Sequence, residues 1–227
     1  MGMARTTKQG KKVGLANGTE GSGYEGFSRI FHDISIPTAK RTHAVERGRV
    51  VAAAALGYQV HTPASFGLQK LELQPEWMPK TPYIAFFHAT AGESKKWPRH
   101  HWIDTARDLQ VTGWPILLPW GNAAEKVEAE AMAAQRSNAQ VLPQLSMQEA
   151  TVLAQRAALV IGVDTGLVHI AAAYETPTIE IYCDSPRWKT EGNWSPKIIN
   201  LGDKGKPPSV AEVEIAFESL LGNSQTN

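Results

Sequence analysis

The run Ala158-Leu159-Val160-Ile161-Gly162-Val163-Asp164-Thr165-Gly166-Leu167-Val168-His169 constrains this chain more than any other. Ala158 to Val163 is apolar without alternation, as in a strand buried on both faces. Asp164, Thr165 and Gly166 make a tight turn, and Gly166 to Tyr174 has the spacing of a short helix that begins at once. Strand, turn and helix in direct succession belong to a parallel sheet with crossover helices, where ligands bind at the carboxyl edge. The helix start leaves backbone N–H groups unpaired at the positive end of the dipole, which suits a diphosphate. Gly166 lets a ligand approach the backbone closely. Asp164 is expected to cap the helix, and His169 lies one turn in. Taken singly, Asp164 is equally a plain N-cap, and His169 a half-buried histidine satisfied by its neighbours.

The same alternation runs from Tyr83 to Leu221. Strands are predicted at Tyr83–Phe87, Pro115–Leu118, Gln140–Leu142, Ala158–Val163, Thr178–Tyr182 and Ile198–Leu201. Helices are predicted at Pro98–Val111, Ala123–Gln135, Met147–Ala157, Gly166–Tyr174 and Pro208–Leu221, with Ser146 and Ser209 as candidate caps. Strand and helix alternate throughout, so the fold class is α/β, a parallel sheet with helices on both faces.

Residues before Tyr83 are less regular. Lys12–Ala16 is strand-like, with nothing before it to pack against, and His43–Tyr58 reads as one alanine-rich helix ending at a Gly57 cap. Gly18-Thr19-Glu20-Gly21-Ser22-Gly23 lacks the Lys-Ser/Thr ending of a phosphate loop and reads as a flexible connection. Gln59 to Pro82 holds several prolines and the weakly alternating Phe66–Leu71, which is linker or edge-strand composition. The domains are therefore placed at residues 1–75 and 76–227.

Composition narrows the function. A net charge of +1 on 227 residues leaves no global field that selects nucleic acid. The single cysteine, Cys183, cannot form an internal disulfide and fits a reducing compartment. No apolar run is long enough to cross a bilayer, and residues 1–8 lack the apolar stretch of a secretory signal. A cytoplasmic location is expected, compatible with work at a membrane surface.

Two more loops leave strands at the same edge. His88-Ala89-Thr90-Ala91-Gly92-Glu93-Ser94-Lys95-Lys96-Trp97-Pro98 offers a hydroxyl at Thr90 and a phosphate-seeking cation at Lys95, although a solvated lysine pair would look alike. Trp97-Pro98 pins the next helix start. Leu118-Pro119-Trp120-Gly121-Asn122-Ala123-Ala124-Glu125 places Glu125 where it can accept from ribose hydroxyls or serve as a dipole-matched surface glutamate. Three loops converging on one edge are more specific than any one of them.

These motifs, with His101-Trp102, Ala171-Ala172-Ala173, His43-Ala44-Val45-Glu46-Arg47 and Leu56-Gly57-Tyr58, resemble the lipopolysaccharide heptosyltransferases of glycosyltransferase family 9. Among them the heptosyltransferase I group is the best match, from about His43 to the C-terminus. The resemblance implies a GT-B fold of two Rossmann-like domains, the second complete here and the first partial. It implies inverting transfer of L-glycero-D-manno-heptose from ADP-heptose to a Kdo sugar of lipid A, with no cofactor and no obligatory metal. On it, Thr90 and Lys95 hold the diphosphate and Glu125 the ribose. Asp164, Thr165, Gly166 and Leu167 line the donor pocket with His169 beside it, and Lys95 stabilises the departing ADP.

The sequence also departs from that family. Its second threonine after Thr90 is Ala91 here, its adenine-side methionine falls at Leu145, and Asp184 to Thr190 differs. Its N-terminal strand and the loop carrying the aspartate general base have no counterpart, and Glu25 and Asp33 are the nearest carboxylates. A first domain lacking these strands is expected to expose apolar surface. Lys8, Lys11, Lys12, Lys40, Arg41, Arg47 and Arg49 could face an anionic acceptor or lipid head groups, or be ordinary solvated charge. The competing reading is a nucleotide-sugar-binding module without turnover. A nicotinamide oxidoreductase is disfavoured because no strand is followed by the glycine fingerprint, and a metal hydrolase because the histidines do not cluster at ligand spacings.

Overall fold

The computed structural model describes residues 10–20 and 26–224. They form two compact units, one of the described residues up to Ala64 with Trp188–Thr190, the other of Ser65–Arg187 and the described residues from Glu191. The division falls inside the stretch 59–82 read as linker, and residues 65–75, counted as linker with the first domain, are held in the second unit. Arg156 donates to the Leu71 carbonyl (2.6 Å), Gln155 accepts from the Leu71 N–H (3.2 Å), and Tyr174 donates to the Gln69 carbonyl (3.0 Å). Residues 66–71 form no strand there.

In the first unit, β1 (Val13–Leu15) pairs in parallel with β2 (Ile34–Ile36), a strand that the sequence reading lacked. β2 has three residues beside Pro37, too short a run to stand out by periodicity. Gly14 lies against the His32 ring, where a β-carbon would sit 2.0 Å from Cε1. The helix α1 (Ala44–Leu56) is capped at its start by the His43 side chain and stopped by Gly57 at φ 74°, a left-handed turn natural to glycine. Phe27, Ile30 and Leu56 are exposed. Gly21–Gly23, Glu25 and Lys8 lie outside the described residues.

The second unit is a six-stranded parallel sheet. Its strands are β3 (Ile84–Phe87), β4 (Ile116–Leu118), β5 (Ala139–Val141), β6 (Leu159–Val163), β7 (Thr178–Tyr182) and β8 (Ile198–Gly202), in the order β5-β4-β3-β6-β7-β8. β3, β4, β6 and β7 are buried at every residue, which is why their sequences are continuous apolar runs. The helices are α2 (Arg99–Asp108), α3 (Ala123–Ala133), α4 (Met147–Arg156), α5 (Gly166–Ala173) and α6 (Val210–Ser224). Trp102, Ile103 and Ala106 of α2, Ala129 and Met132 of α3, and Val213 and Phe217 of α6 fill one core layer. Leu153 and Ala154 of α4 and Val168 and Ala171 of α5 fill the other.

Local sequence sets the helix starts. Ser146 and Glu149 close a reciprocal capping box at α4. Asn122 accepts from the Glu125 N–H at α3. Gly162 allows α5 to lie close on β6, since a β-carbon there would be 2.9 Å from Phe87 Cβ and 3.2 Å from Val168 Cβ. The strand order runs outward both ways from the β3–β6 pair. The loops after these two strands therefore diverge and leave a crevice at the carboxyl edge.

Candidate functional site

The crevice is a cavity of about 420 Å³, lined by Thr90, Trp120, Glu125, Leu145, Thr165 and Leu167 among others. That is within the usual size of a small-ligand site, roughly 300–1,000 Å³. A smaller cavity of about 290 Å³ adjoins it and shares His88, Thr90, Asn122 and Glu125. His88 is buried, and burial pushes its imidazole below the ordinary pKa, so it stands there neutral.

Beside the cavity lies a cluster centred on Asp164. Its carboxylate accepts from Lys95 Nζ (2.8 Å) and from Ser185 Oγ (2.5 Å) on Oδ2, while Oδ1 lies 3.1 Å from His169 Nε2. Thr90 donates to the Asp164 backbone carbonyl (3.2 Å), so the loops after β3 and β6 are tied at two levels. Burial alone would raise the Asp164 pKa, but the bonds from His169, Lys95 and Ser185 hold the carboxyl well below the usual carboxylate range. Burial likewise lowers His169, yet Asp164 and Glu180 outweigh it and raise the imidazole to about 9. Both carboxylates thus favour the charged form of the ring.

The residues singled out from the sequence fall into two groups. Thr90, Glu125, Thr165 and Leu167 line the larger cavity, whereas Lys95, Asp164 and His169 form the adjoining ion cluster. Gly166 opens α5, with open space where its β-carbon would be. The N-cap of α5 is Thr165 and not Asp164, and the Thr165 side chain makes no cap bond, while the Asp164 carboxylate meets Lys95, His169 and Ser185. The Glu125 carboxylate accepts from the Gly121 N–H and the Asn122 amide, both at 2.7 Å, and so is fixed at the cavity wall.

Ser185 and the buried Glu180 belong to this constellation although the sequence reading gave neither a role. β7 is the neighbour of β6, so the loop after β7 meets the turn after β6. A serine three residues beyond a buried strand end was the available signal, and it acquires meaning only with the strand order.

In the first unit, Asp33 accepts from the Lys12 N–H (2.7 Å), which fits a loop brace. Arg49 is engaged by Glu46 and by the carbonyls of Thr62 and Pro63, and Arg47 donates to Thr19. Among the described residues no helix is long and apolar enough to cross a membrane.

The model of glycosyltransferase family 9 (heptosyltransferase) matches residues 3–216. The chain belongs to this family. It is 36% identical over 172 residues to lipopolysaccharide heptosyltransferase 1 of Pseudomonas aeruginosa, covering 75% of this chain and 48% of that protein. It is 34% identical over 159 residues to the Salmonella typhimurium enzyme of the same name, covering 70% and 50%. The chain thus spans about half the length of the curated relatives it matches. Its fold is of the GT-B heptosyltransferase type. The E. coli heptosyltransferase WaaC, solved with ADP, superposes with a TM-score of 0.72 at 26% identity, over 92% of this chain and 65% of that one.

Proposed function

We propose that this chain binds ADP-heptose and acts as the donor-binding part of an inverting heptosyltransferase, moving heptose to a Kdo residue of the lipopolysaccharide inner core. One observation carries the reading: a cavity at the switch point of a parallel sheet stands beside the Lys95–Asp164–His169 cluster, in a chain of the heptosyltransferase family. The E. coli heptosyltransferase WaaC has been solved with ADP and with ADP-2-deoxy-2-fluoro heptose, which supports a nucleotide-sugar donor here.

On this reading the adenosine lies in the larger cavity against Leu145 and Leu167, with the ribose hydroxyls donating to Glu125. Thr90, the N–H groups at the α5 start and Lys95 face the diphosphate. As the glycosidic bond of the donor breaks, negative charge grows on the leaving phosphate, and Lys95 and the helix end stabilise it where it forms. The acceptor hydroxyl also needs a general base, a role given to none of these residues. Action at the cytoplasmic face of the inner membrane is part of the same proposal.

The test is titration of the purified chain with ADP and then ADP-heptose, followed by tryptophan fluorescence. Trp120 lines the larger cavity and Trp97 the smaller, so both report binding. Saturable binding by both ligands is expected. A folded chain that binds neither rejects the donor-site reading, and binding without transfer to a Kdo-lipid A acceptor selects the nucleotide-sugar-binding module instead.

A further inference from the structure

Glu180 is the middle residue of β7, with Ile179 and Ile181 on either side, and it is 0% exposed. An ionised carboxylate in such a place requires both hydrogen bonds and a counter-charge. The hydrogen bonds fall on one oxygen: Oε2 accepts from the Tyr182 hydroxyl (2.8 Å) and from the Gly192 N–H (3.1 Å). The other oxygen, Oε1, faces His169 Nδ1 at 3.4 Å, an ionic contact without hydrogen-bond alignment. The opposite ring nitrogen, Nε2, lies 3.1 Å from Asp164. Both nitrogens of His169 thus look at carboxylate oxygens, and a neutral imidazole has a proton for only one of them. Beyond Asp164 stand Lys95 and the Ser185 hydroxyl. The order Glu180, His169, Asp164, Lys95 runs from the buried strand out to a half-exposed lysine, with the carboxylates and the nitrogen bases in alternation.

We propose that Glu180 is the positioning residue of the phosphate site. Its buried carboxylate fixes the His169 ring with both nitrogens protonated, His169 fixes Asp164, and Asp164 holds Lys95 at a set place for the donor's diphosphate. This rests on the donor-site reading. Without Glu180, Asp164 would answer to a ring free to turn or to lose a proton, and Lys95 would become an ordinary half-exposed cation.

The test combines ring-nitrogen NMR of His169, assigned by its loss in His169→Asn, with ADP titrations. In the unmodified chain at pH 8, both His169 ring nitrogens should show imidazolium shifts, and the pattern of a neutral tautomer would overturn the proposal. The amide introduced by Glu180→Gln can still accept from Tyr182 and Gly192 but turns its NH2 toward Nδ1. The His169 midpoint should then fall by about one pH unit or more, the usual effect of losing a close counter-charge. ADP affinity should fall by about threefold or more, as for coupled members of one ion-pair network. In a Lys95→Ala background the same change should leave ADP affinity unmoved. An equal loss in both backgrounds means that Glu180 acts on the fold and not through Lys95. If Glu180→Gln fails to fold, the spectrum of the unmodified chain still decides. If the unmodified chain does not bind ADP, the donor-site reading falls and takes the role toward phosphate with it, while the spectrum still decides the His169–Glu180 pairing.

Discussion

Replacing Lys95 by methionine separates what the ion cluster contributes to folding from what it contributes to the ligand. The side chain of Lys95 is 40% exposed, and that of Asp164 10%. A pair with one partner this accessible is screened, and such pairs are commonly worth up to about 1 kcal/mol. Asp164 also keeps His169 and Ser185 in the variant, so its charge is not stranded. For a unit of this size 1 kcal/mol corresponds to a melting shift of about 2–4 °C. The effect on ligand should be larger. A hydrogen bond to a charged group contributes roughly 1.5–3 kcal/mol. At about 2 kcal/mol, ADP affinity falls about 30-fold. Calorimetric titration with ADP and a thermal melt monitored by circular dichroism measure the two quantities on the same sample. An affinity within about threefold of the original, on a folded chain, would refute the assignment of Lys95 to the diphosphate. A melting point lowered by more than about 8 °C would instead make Lys95 a structural residue, because the screened pair cannot supply that much.

Two further outcomes follow from the same geometry. The His169 imidazole is raised to about 9 from an ordinary value of 6.5, so its stabilisation is complete below about pH 6.5 and is lost as pH rises through 9. Melting temperature should therefore fall between pH 8 and pH 10 by the equivalent of about 1.4 kcal/mol, and a flat profile would remove the charge from His169. Gly162→Ala forces a β-carbon to 2.9 Å from Phe87 Cβ and 3.2 Å from Val168 Cβ, both in packed backbone-anchored positions. Overpacking of this kind costs about 1–3 kcal/mol, and a melting point unchanged by the substitution would show that α5 can shift freely on β6.

The fold of the second unit was legible because its evidence is local. Continuous apolar strands, Ser146 with Glu149, Asn122 before α3 and the strand–turn–helix at Asp164 each show within a dozen residues, and each stands where the pattern put it. Two features were not legible, β2 and the unit to which the linker residues 65–75 attach, and they share a cause. β2 is three residues long and is defined by its pairing with β1, and residues 65–75 are defined by what Gln155, Arg156 and Tyr174 do to them. In both cases the deciding contacts are distant in sequence, where periodicity carries no information.

The site shows the same division. Its residue types could be read from three loops, but their partners could not. Lys95 and Asp164 are 69 positions apart, and Ser185 stands 21 beyond Asp164. What joins them is the placing of β6 between β3 and β7. This changes the chemistry and not only the map. Read from sequence, Lys95 is a mobile point charge and Asp164 a helix cap. In the fold, Asp164 takes Lys95 as a counter-ion, and Thr165 stands as the N-cap of α5 without a side-chain cap bond. The carboxylate weakens the net attraction of Lys95 for an anion, which argues against a site tuned for affinity alone. The same contact orders a four-carbon side chain during folding, so that entropy is not lost again when the diphosphate arrives. A cation held in this way is best suited to charge that appears at one place late in the reaction, as on a departing ADP, because the donors need not reorganise at that moment.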